Sequence, residues 1–365
     1  MLPYVVGYDS PEEVIKRIAE SEIVVGIPSR NVAHTITYVI HNAVEGFKKY
    51  YPGTKASIIV CDGLSSDCTV DVVKAYRNRL DIPIVLVPNV RAPGKGSAMR
   101  TIIELVAKYT DAEALVFLDS DLRSVTPEWV PLLGNAAQEC GFATPYYRRH
   151  RFDATITNFI ARPLTTMAYG IDIRQPIGGD FGLGRKLIEI LASTPLWTAS
   201  PWPHLFGVDI FITHTALAHG ITVCEACLKA KIHEAKDPSK SLVNMFREVT
   251  GSIYTLLIEY IDVWGKKHLT STVKPKQYTA PEPPSMNPVE VRINKSNALK
   301  KLLEGLNKYS YLYDKILPNK LLWEIREDAI ERKGIDSETW ARILIATIIA
   351  YSREPRFRYR VQILN

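Results

Sequence analysis

The chain has 365 residues, 46% hydrophobic and 23% charged, which supplies a real core and excludes a disordered protein. Its net charge of +6 and pI near 8.9 favour anionic ligands but fall short of a nucleic-acid-binding balance. The opening "MLPYVVGYDSPEEVIKRIAE" lacks the basic start and unbroken apolar stretch of a secretory leader, and runs such as "ILIATIIAY" from Ile343 are far shorter than the roughly 20 residues of a membrane span, so a soluble, cytoplasmic protein is expected.

Residues 1–21 read as a helical lead-in. From Glu22 to about Ala235 short apolar runs alternate with amphipathic stretches. The strand candidates are "EIVVGIP", "ASIIVCD", "IPIVLVP", "ALVFLDS", "CGFATPY" and "ITVCEACL"; helical periods run from Val32 to Tyr50 and from Ser97 to Tyr109. This alternation predicts an α/β fold, a Rossmann-like, mostly parallel sheet with helices on both faces and ligands beyond the carboxyl ends of the strands. The five cysteines do not describe a disulfide framework. The single C-x-x-C of Cys224 and Cys227 has no second pair, so two small buried or half-buried residues are expected there rather than a zinc or redox site.

The predicted strand ends carry the chemistry. The first ends in "GIPSRN", with Pro28, Ser29 and Asn31. The second ends in "CDGLSSDCT", where Asp62 and its hydroxyl neighbours suit a base and ribose. The third leads into "RAPGKGSAMR", whose glycines let the backbone around Lys95 approach a ligand and whose following helix N-terminus favours an anion; a Walker A pattern is absent. The fourth is "LVFLDSDLRSV", with Asp119, Ser120 and Asp121 at the tip of a buried strand. Two carboxylates so close repel and lose solvation. A hard divalent cation, Mg²⁺ or Mn²⁺, removes the conflict and keeps positions open for phosphate oxygens. Beyond these, "YYRRHRF" sets Arg149 and Arg151 in a basic loop suited to a small anion bearing carboxylate and phosphate. In "PIGGD", Gly178 and Gly179 offer bare backbone to an anion. After His233 the pattern becomes helical, apart from a Pro-rich segment at 274–288, giving a helical C-terminal region over 241–365.

Four such loops at successive strand ends resemble the GT-A fold of nucleotide-sugar-dependent glycosyltransferases. The stretches "RFDATITNFIARPLTTM", "RQPIGGDFG", "HLFGVDIFI" and "KIHEAKDPSKSLVNM" occur in the order seen in the retaining glucosyl-3-phosphoglycerate synthases and their mannosyl-transferring relatives. The resemblance covers about Ile23 to Met245 and implies a GT-A catalytic domain over 22–240. It implies Asp121 and His233 as metal ligands, and Asp119, Ser120 and Lys95 as nucleotide contacts. By the same likeness Asp209 holds the transferred sugar and Thr157 contacts the acceptor, so the catalytic set is Asp121, Asp209 and His233.

Two departures matter. Relatives usually carry an acidic residue where this chain has Asn31 and Val32, which leaves UDP and GDP both open. The relatives' acceptor arginine is Thr155 in this chain, so Arg149 or Arg151 must substitute. The expected reaction is metal-dependent transfer of glucose from a nucleotide diphosphate sugar to 3-phosphoglycerate. Mannosyl transfer from GDP-mannose to 3-phosphoglycerate or glycerate is the alternative, and a homodimer is the expected assembly. A sugar-phosphate nucleotidyltransferase would need a glycine-rich loop after the first strand, which "GIPSRNVAH" lacks. A non-catalytic nucleotide-sugar binder would bind the donor without turnover.

Overall fold

The structure, a computed structural model, describes residues 5–150, 152–232, 238–266, 271–279, 294–331 and 334–364. Eight strands form one sheet: β1 (Ile23–Ser29), β2 (Ala56–Asp62), β3 (Ile84–Pro88), β4 (Ala114–Phe117), β5 (Gly141–Arg148), β6 (Phe181–Gly184), β7 (Thr222–Ala230) and β8 (Lys276–Thr279), in the order β3-β2-β1-β4-β6-β5-β7-β8. All neighbours are parallel except β6, which runs antiparallel to both β4 and β5. Helices cover both faces, so β1 is buried along its whole length and reads as continuous apolar sequence rather than as an alternation.

The six expected strands are all present. The other two carry weak signals: β6 is four residues long with two glycines, and β8 is mostly exposed. The helix expected from Val32 begins at Ile36, because Val32–Thr35 form a turn in which the Thr35 and Ile36 N–H groups donate to the Val32 carbonyl. The helix expected from Ser97 begins earlier, at Lys95. On one face of the sheet Val25, Ile27, Ile58, Val60, Leu86 and Val116 pack with Val44 and Phe47 of helix Ile36–Tyr50 and with Trp129 and Leu133 of helix Trp129–Cys140. The lead-in forms helix Pro11–Ile18, opened by a reciprocal Ser10–Glu13 capping box. Just before it, buried Asp9 takes a bidentate pair from Arg77 at 2.6 and 2.8 Å and a Leu86 N–H at 2.8 Å, fixing the lead-in to β3.

The C-x-x-C cysteines have different fates. Cys224 is buried and joined to Cys140 as a disulfide with a Cα–Cα distance of 6.0 Å, whereas Cys227 is free and half-buried. The expectation of two unlinked small residues is corrected for Cys224: strand β7 lies against the end of the helix that carries Cys140.

The chain divides into two compact units. The first comprises 1–150 and 154–289 and contains the sheet together with helix Pro238–Glu259. The second comprises 151–153 and 290–365. Its helices, Lys295–Lys308, Ser310–Ile316, Asn319–Ile330, Ser337–Arg353 and Phe357–Ile363, enclose a small core of Leu306, Leu317, Leu321, Leu322, Ile325 and Ala329. The expected boundary near 240 falls inside the first unit. Among the described residues no helix is long and apolar enough to cross a membrane.

Candidate active site

The strand order reverses between β1 and β4, because the chain builds outward from β1 through β2 to β3 and then returns to β1's other side. Crevices at such switch points, beyond the carboxyl ends of the strands, are where open α/β sheets bind ligands. The expected nucleotide loops meet there. Thr35 Oγ1, after β1, donates to the Ser120 carbonyl after β4 at 2.9 Å.

The ends of β1 and β2 are tied to each other. Buried Pro28 and Ser29 end β1, and Ser29 pairs in register with Asp62. The Asp62 carboxylate accepts from Ser29 Oγ at 3.1 Å, Tyr8 OH at 2.8 Å, and Ser65 N and Oγ at 2.8 and 2.6 Å. Burial and the bond to Asp62 push the Tyr8 phenol up, so it stays a donor. Asn31, at φ 52°, accepts the Ser66 N–H at 2.8 Å, and its own N–H donates to Ser65 Oγ at 2.8 Å. Asp62 and Asn31 thus hold the loops after β1 and β2 together.

The glycines around Lys95 also meet a packing need within the protein. A Cβ on Gly94 would overlap the His204 carbonyl oxygen, and one on Gly96 would overlap that of Pro203. They let the loop press against the turn Trp202–His204. That packing fixes the helix start from which Lys95 reaches the crevice.

There Lys95 Nζ lies 2.9 Å from Asp119 Oδ1 and 3.2 Å from Asp209 Oδ1. Asp209 comes from the first turn of helix Val208–Ala218. The other Asp119 oxygen, Oδ2, takes Lys231 Nζ at 2.6 Å. Lys231 also donates to Asp180 Oδ2 and to the Gly178 carbonyl, each at 2.9 Å. Asp180 Oδ1 accepts the Asp119 N–H at 2.7 Å, and Tyr147 OH donates to Asp180 Oδ2. The result is an alternating chain, Asp209–Lys95–Asp119–Lys231–Asp180, with three carboxylates and two ammonium groups. Burial works against ionising Asp119, but Lys231 and Lys95 hold its carboxyl far below the usual range. Burial likewise disfavours the Lys95 ammonium, yet Asp119 and Asp209 raise it. Burial pushes Asp209 and Asp180 upward against the pull of their lysines.

Exposure separates the two lysines' roles. Lys95 keeps 14% of its side chain exposed, Asp119 19% and Asp209 12%, whereas Lys231 keeps 6% and Asp180 none. Lys95 reaches the cleft surface, whereas Lys231 is sealed beneath.

Asp121 is half-buried in the turn after β4, two residues beyond Asp119. His233 lies outside the described residues. Ile232, its neighbour in the chain, bonds both ways to the segment after Asp121: Arg123 N–H donates to the Ile232 carbonyl and Ile232 N–H to Ser124 Oγ, both at 2.8 Å. Among the described residues no group of three or more His, Cys, Asp or Glu could hold a metal ion by itself. Mg²⁺ is commonly held by one or two carboxylates with substrate phosphate oxygens and waters completing its shell, and a carboxylate such as that of Asp121 fits such a site.

On the other side of the crevice, Arg149 lies over the Tyr147 ring, 5.4 Å from its centre. Arg151 lies outside the described residues. Thr157 is buried and opens a wide helical turn, Thr157–Ala161. Gly178 turns its carbonyl, not a nest of N–H groups, toward Lys231, and a Cβ on it would overlap the Pro145 ring; its bareness is first a packing need. Gly179, at φ 92°, has the space of its missing Cβ only 2.5 Å from Asp119 Oδ2. Sequence reasoning missed Lys231, Asp180 and Tyr147. The available signal was positional: Lys231 follows a predicted strand two residues before His233, and Asp180 closes the "PIGGD" stretch.

Comparison with known proteins places the chain among glycosyltransferases. The family model described as mannosylglycerate synthase, GT domain, matches residues 36–253, more than half of the chain. Mannosylglycerate synthase of Rhodothermus marinus is 27% identical over 179 residues, 46% of this chain and 43% of that protein. The Selaginella moellendorffii mannosylglycerate synthase is 25% identical over 240 residues, 60% of this chain and 55% of that one. The matches thus span about half the length of these relatives. Among solved structures, glucosyl-3-phosphoglycerate synthase from Mycobacterium tuberculosis in complex with UDP superposes with a TM-score of 0.50 at 25% identity, over 71% of this chain and 87% of that one. The sheet with helices on both sides is the GT-A arrangement.

Proposed function

From a chain that belongs to the mannosylglycerate synthase GT-domain family, we propose a glycosyltransferase that moves a hexosyl group from a nucleotide diphosphate sugar to a three-carbon acid, with retention at the anomeric carbon. The primary reading is glucose transfer to 3-phosphoglycerate. Mannosyl transfer from GDP-mannose to glycerate or 3-phosphoglycerate is the second reading, favoured by the family model and the two curated relatives.

One observation carries the proposal: Lys95, Asp119 and Asp209 converge at the switch-point crevice, with Lys95 bonded to both carboxylates. A diphosphate entering the crevice competes with both carboxylates for Lys95, and charge-assisted bonds of this kind contribute about 1.5–3 kcal/mol. Asp209, released from Lys95, is then free to accept hydrogen bonds from sugar hydroxyls and to orient the hexose. Asp121 and His233 are the residues that would hold the divalent cation. When bound, that cation would act as a Lewis acid that offsets charge on the departing nucleotide. Pro28, Ser29, Asn31, Asp62 and Ser120 line the nucleotide side in this reading; Arg149, Arg151, Thr157, Gly178 and Gly179 serve the acceptor. The acceptor hydroxyl attacks from the face that the nucleotide leaves. We further propose a homodimer, to be tested by light scattering.

The deciding experiment is a matrix of UDP- and GDP-activated glucose and mannose against 3-phosphoglycerate and D-glycerate with Mg²⁺ or Mn²⁺. Acceptor-dependent nucleotide release with a product of hexosyl-acid mass is expected in one cell. Nucleotide binding with no acceptor-dependent turnover in any cell would leave a non-catalytic binder and refute the transferase.

A further inference from the structure

Lys231 is an enclosed cation of the cleft, 6% exposed, that the sequence motifs did not identify. An ammonium has three N–H donors, and Lys231 has three acceptors: Asp119 Oδ2 at 2.6 Å, Asp180 Oδ2 at 2.9 Å and the Gly178 carbonyl at 2.9 Å. The first belongs to the loop after β4, on the nucleotide side. The other two belong to the turn before β6, on the acceptor side. Lys231 itself sits after β7.

Three further contacts reinforce the junction. Asp180 Oδ1 takes the Asp119 N–H at 2.7 Å, so the two segments also meet through backbone. The left-handed turn at Gly179 presses on the pair, since a Cβ there would lie 2.5 Å from Asp119 Oδ2 and 3.0 Å from Lys231 Nζ. Tyr147 donates to Asp180 while its ring lies between two cations, with centroid distances of 5.2 Å to Lys231 and 5.4 Å to Arg149.

We propose that Lys231 is a positioning residue that clamps the Asp119 loop to the Gly178–Asp180 turn, so that occupancy of the nucleotide side is transmitted to the acceptor side through one buried ammonium. The assignment of the two sides rests on the proposed function; the clamp itself rests on the three bonds. When Lys95 turns to an entering diphosphate, Asp119 keeps Lys231 as its partner and its carboxylate stays in place. Lys95 cannot perform this task, because it touches neither Gly178 nor Asp180 at bonding distance and reaches the cleft surface.

Hydrogen exchange read by mass spectrometry tests the clamp on the full chain, with and without UDP or GDP plus Mg²⁺. The variants are Lys231→Arg, which keeps the charge but replaces a tripod by a planar fork, and Lys231→Met combined with Asp180→Asn. The double variant removes one charge of each sign and so preserves the balance of the buried chain. Without ligand, residues 115–124 and 174–184 should both exchange faster in each variant, whereas Lys95→Met should affect mainly 115–124. With nucleotide, the wild type should become protected in both segments and the Lys231 variants only in 115–124. Affinity for 3-phosphoglycerate measured in the presence of nucleotide should fall by roughly tenfold or more in those variants, the scale of a lost charge-assisted bond. Wild-type exchange at 174–184 in the double variant overturns the clamp, and so does full coupling in Lys231→Arg, since charge alone would then suffice. Failure of the wild type to bind either nucleotide would count against the transferase reading, while the ligand-free exchange would still decide the clamp.

Discussion

Asp119 and Asp121 are two residues apart yet differ in partners. Asp119 has an ammonium on each oxygen, Lys95 and Lys231, and Asp121 stands in the turn beyond them. In the proposed reading Asp121 takes the cation, whereas Asp119 is part of the protein's own charge chain. Asp121→Ala should therefore abolish most transfer without unfolding the protein, a loss of several kcal/mol of transition-state stabilisation, and near-normal turnover of the variant in chelated buffer would refute its role. Asp209→Ala should lower transfer equally while calorimetry finds nucleotide diphosphate affinity close to wild type, because the carboxylate serves the sugar; a large loss of nucleotide affinity would move Asp209 to the other half of the site. His214 has a different kind of burial. It is fully enclosed, its Nε2 lies 3.0 Å from Thr165 Oγ1, and burial lowers its pKa from 6.5 to about 3. Between those values the unfolded chain binds the proton and the folded chain does not, so stability rises with pH through that window and is lost as pH falls below 6.5. His214→Gln should flatten the fall in Tm between about pH 6.5 and 4, and an unchanged profile would assign the acid sensitivity to other groups.

At the scale of elements, the start of helix Lys95–Tyr109 joins stability to function. Gly96 is in its first turn, where alanine would gain up to about 1 kcal/mol of helix propensity. The added methyl would overlap the rigid Pro203 carbonyl, an overpacking that costs about 1–3 kcal/mol. The overlap wins: Gly96→Ala should lower the denaturation midpoint with an unchanged m-value and weaken nucleotide binding as Lys95 shifts. A stabilised variant would show that the Trp202–His204 turn yields easily. The same elements mark what was legible. Strands β1 to β5 and β7 carry apolar runs long enough to read directly. Strand β6 hides in "DFGLG" because its glycines remove the side-chain signal, and β8 hides in "KQYT" because its outer edge is exposed. The glycines of the Gly-Lys-Gly loop were legible as a close approach, but not what they approach, since Pro203 is more than a hundred residues away.

Across the whole molecule, the net charge of +6 predicts that anionic donor and acceptor associate faster at low ionic strength. Raising salt from about 0.05 to 0.3 M shortens the Debye length and should increase both apparent Michaelis constants severalfold with little change in kcat; a fall in kcat alone would place the salt effect on the buried charge chain instead. The sequence by itself determined the parallel sheet, the carboxylates and lysine at its strand ends, and the family resemblance, because apolar runs, turn residues and motif order are local properties of a chain. Only the tertiary structure decided that Lys95 pairs with Asp209, 114 positions away, that Cys140 joins Cys224, and that Lys231 binds Asp119, Asp180 and Gly178 at once. The Lys231 contacts depend on β6 inserting antiparallel between β4 and β5, and the disulfide on β5 pairing with β7; a buried charge takes whatever partner such adjacency brings within hydrogen-bond reach, which no local periodicity encodes.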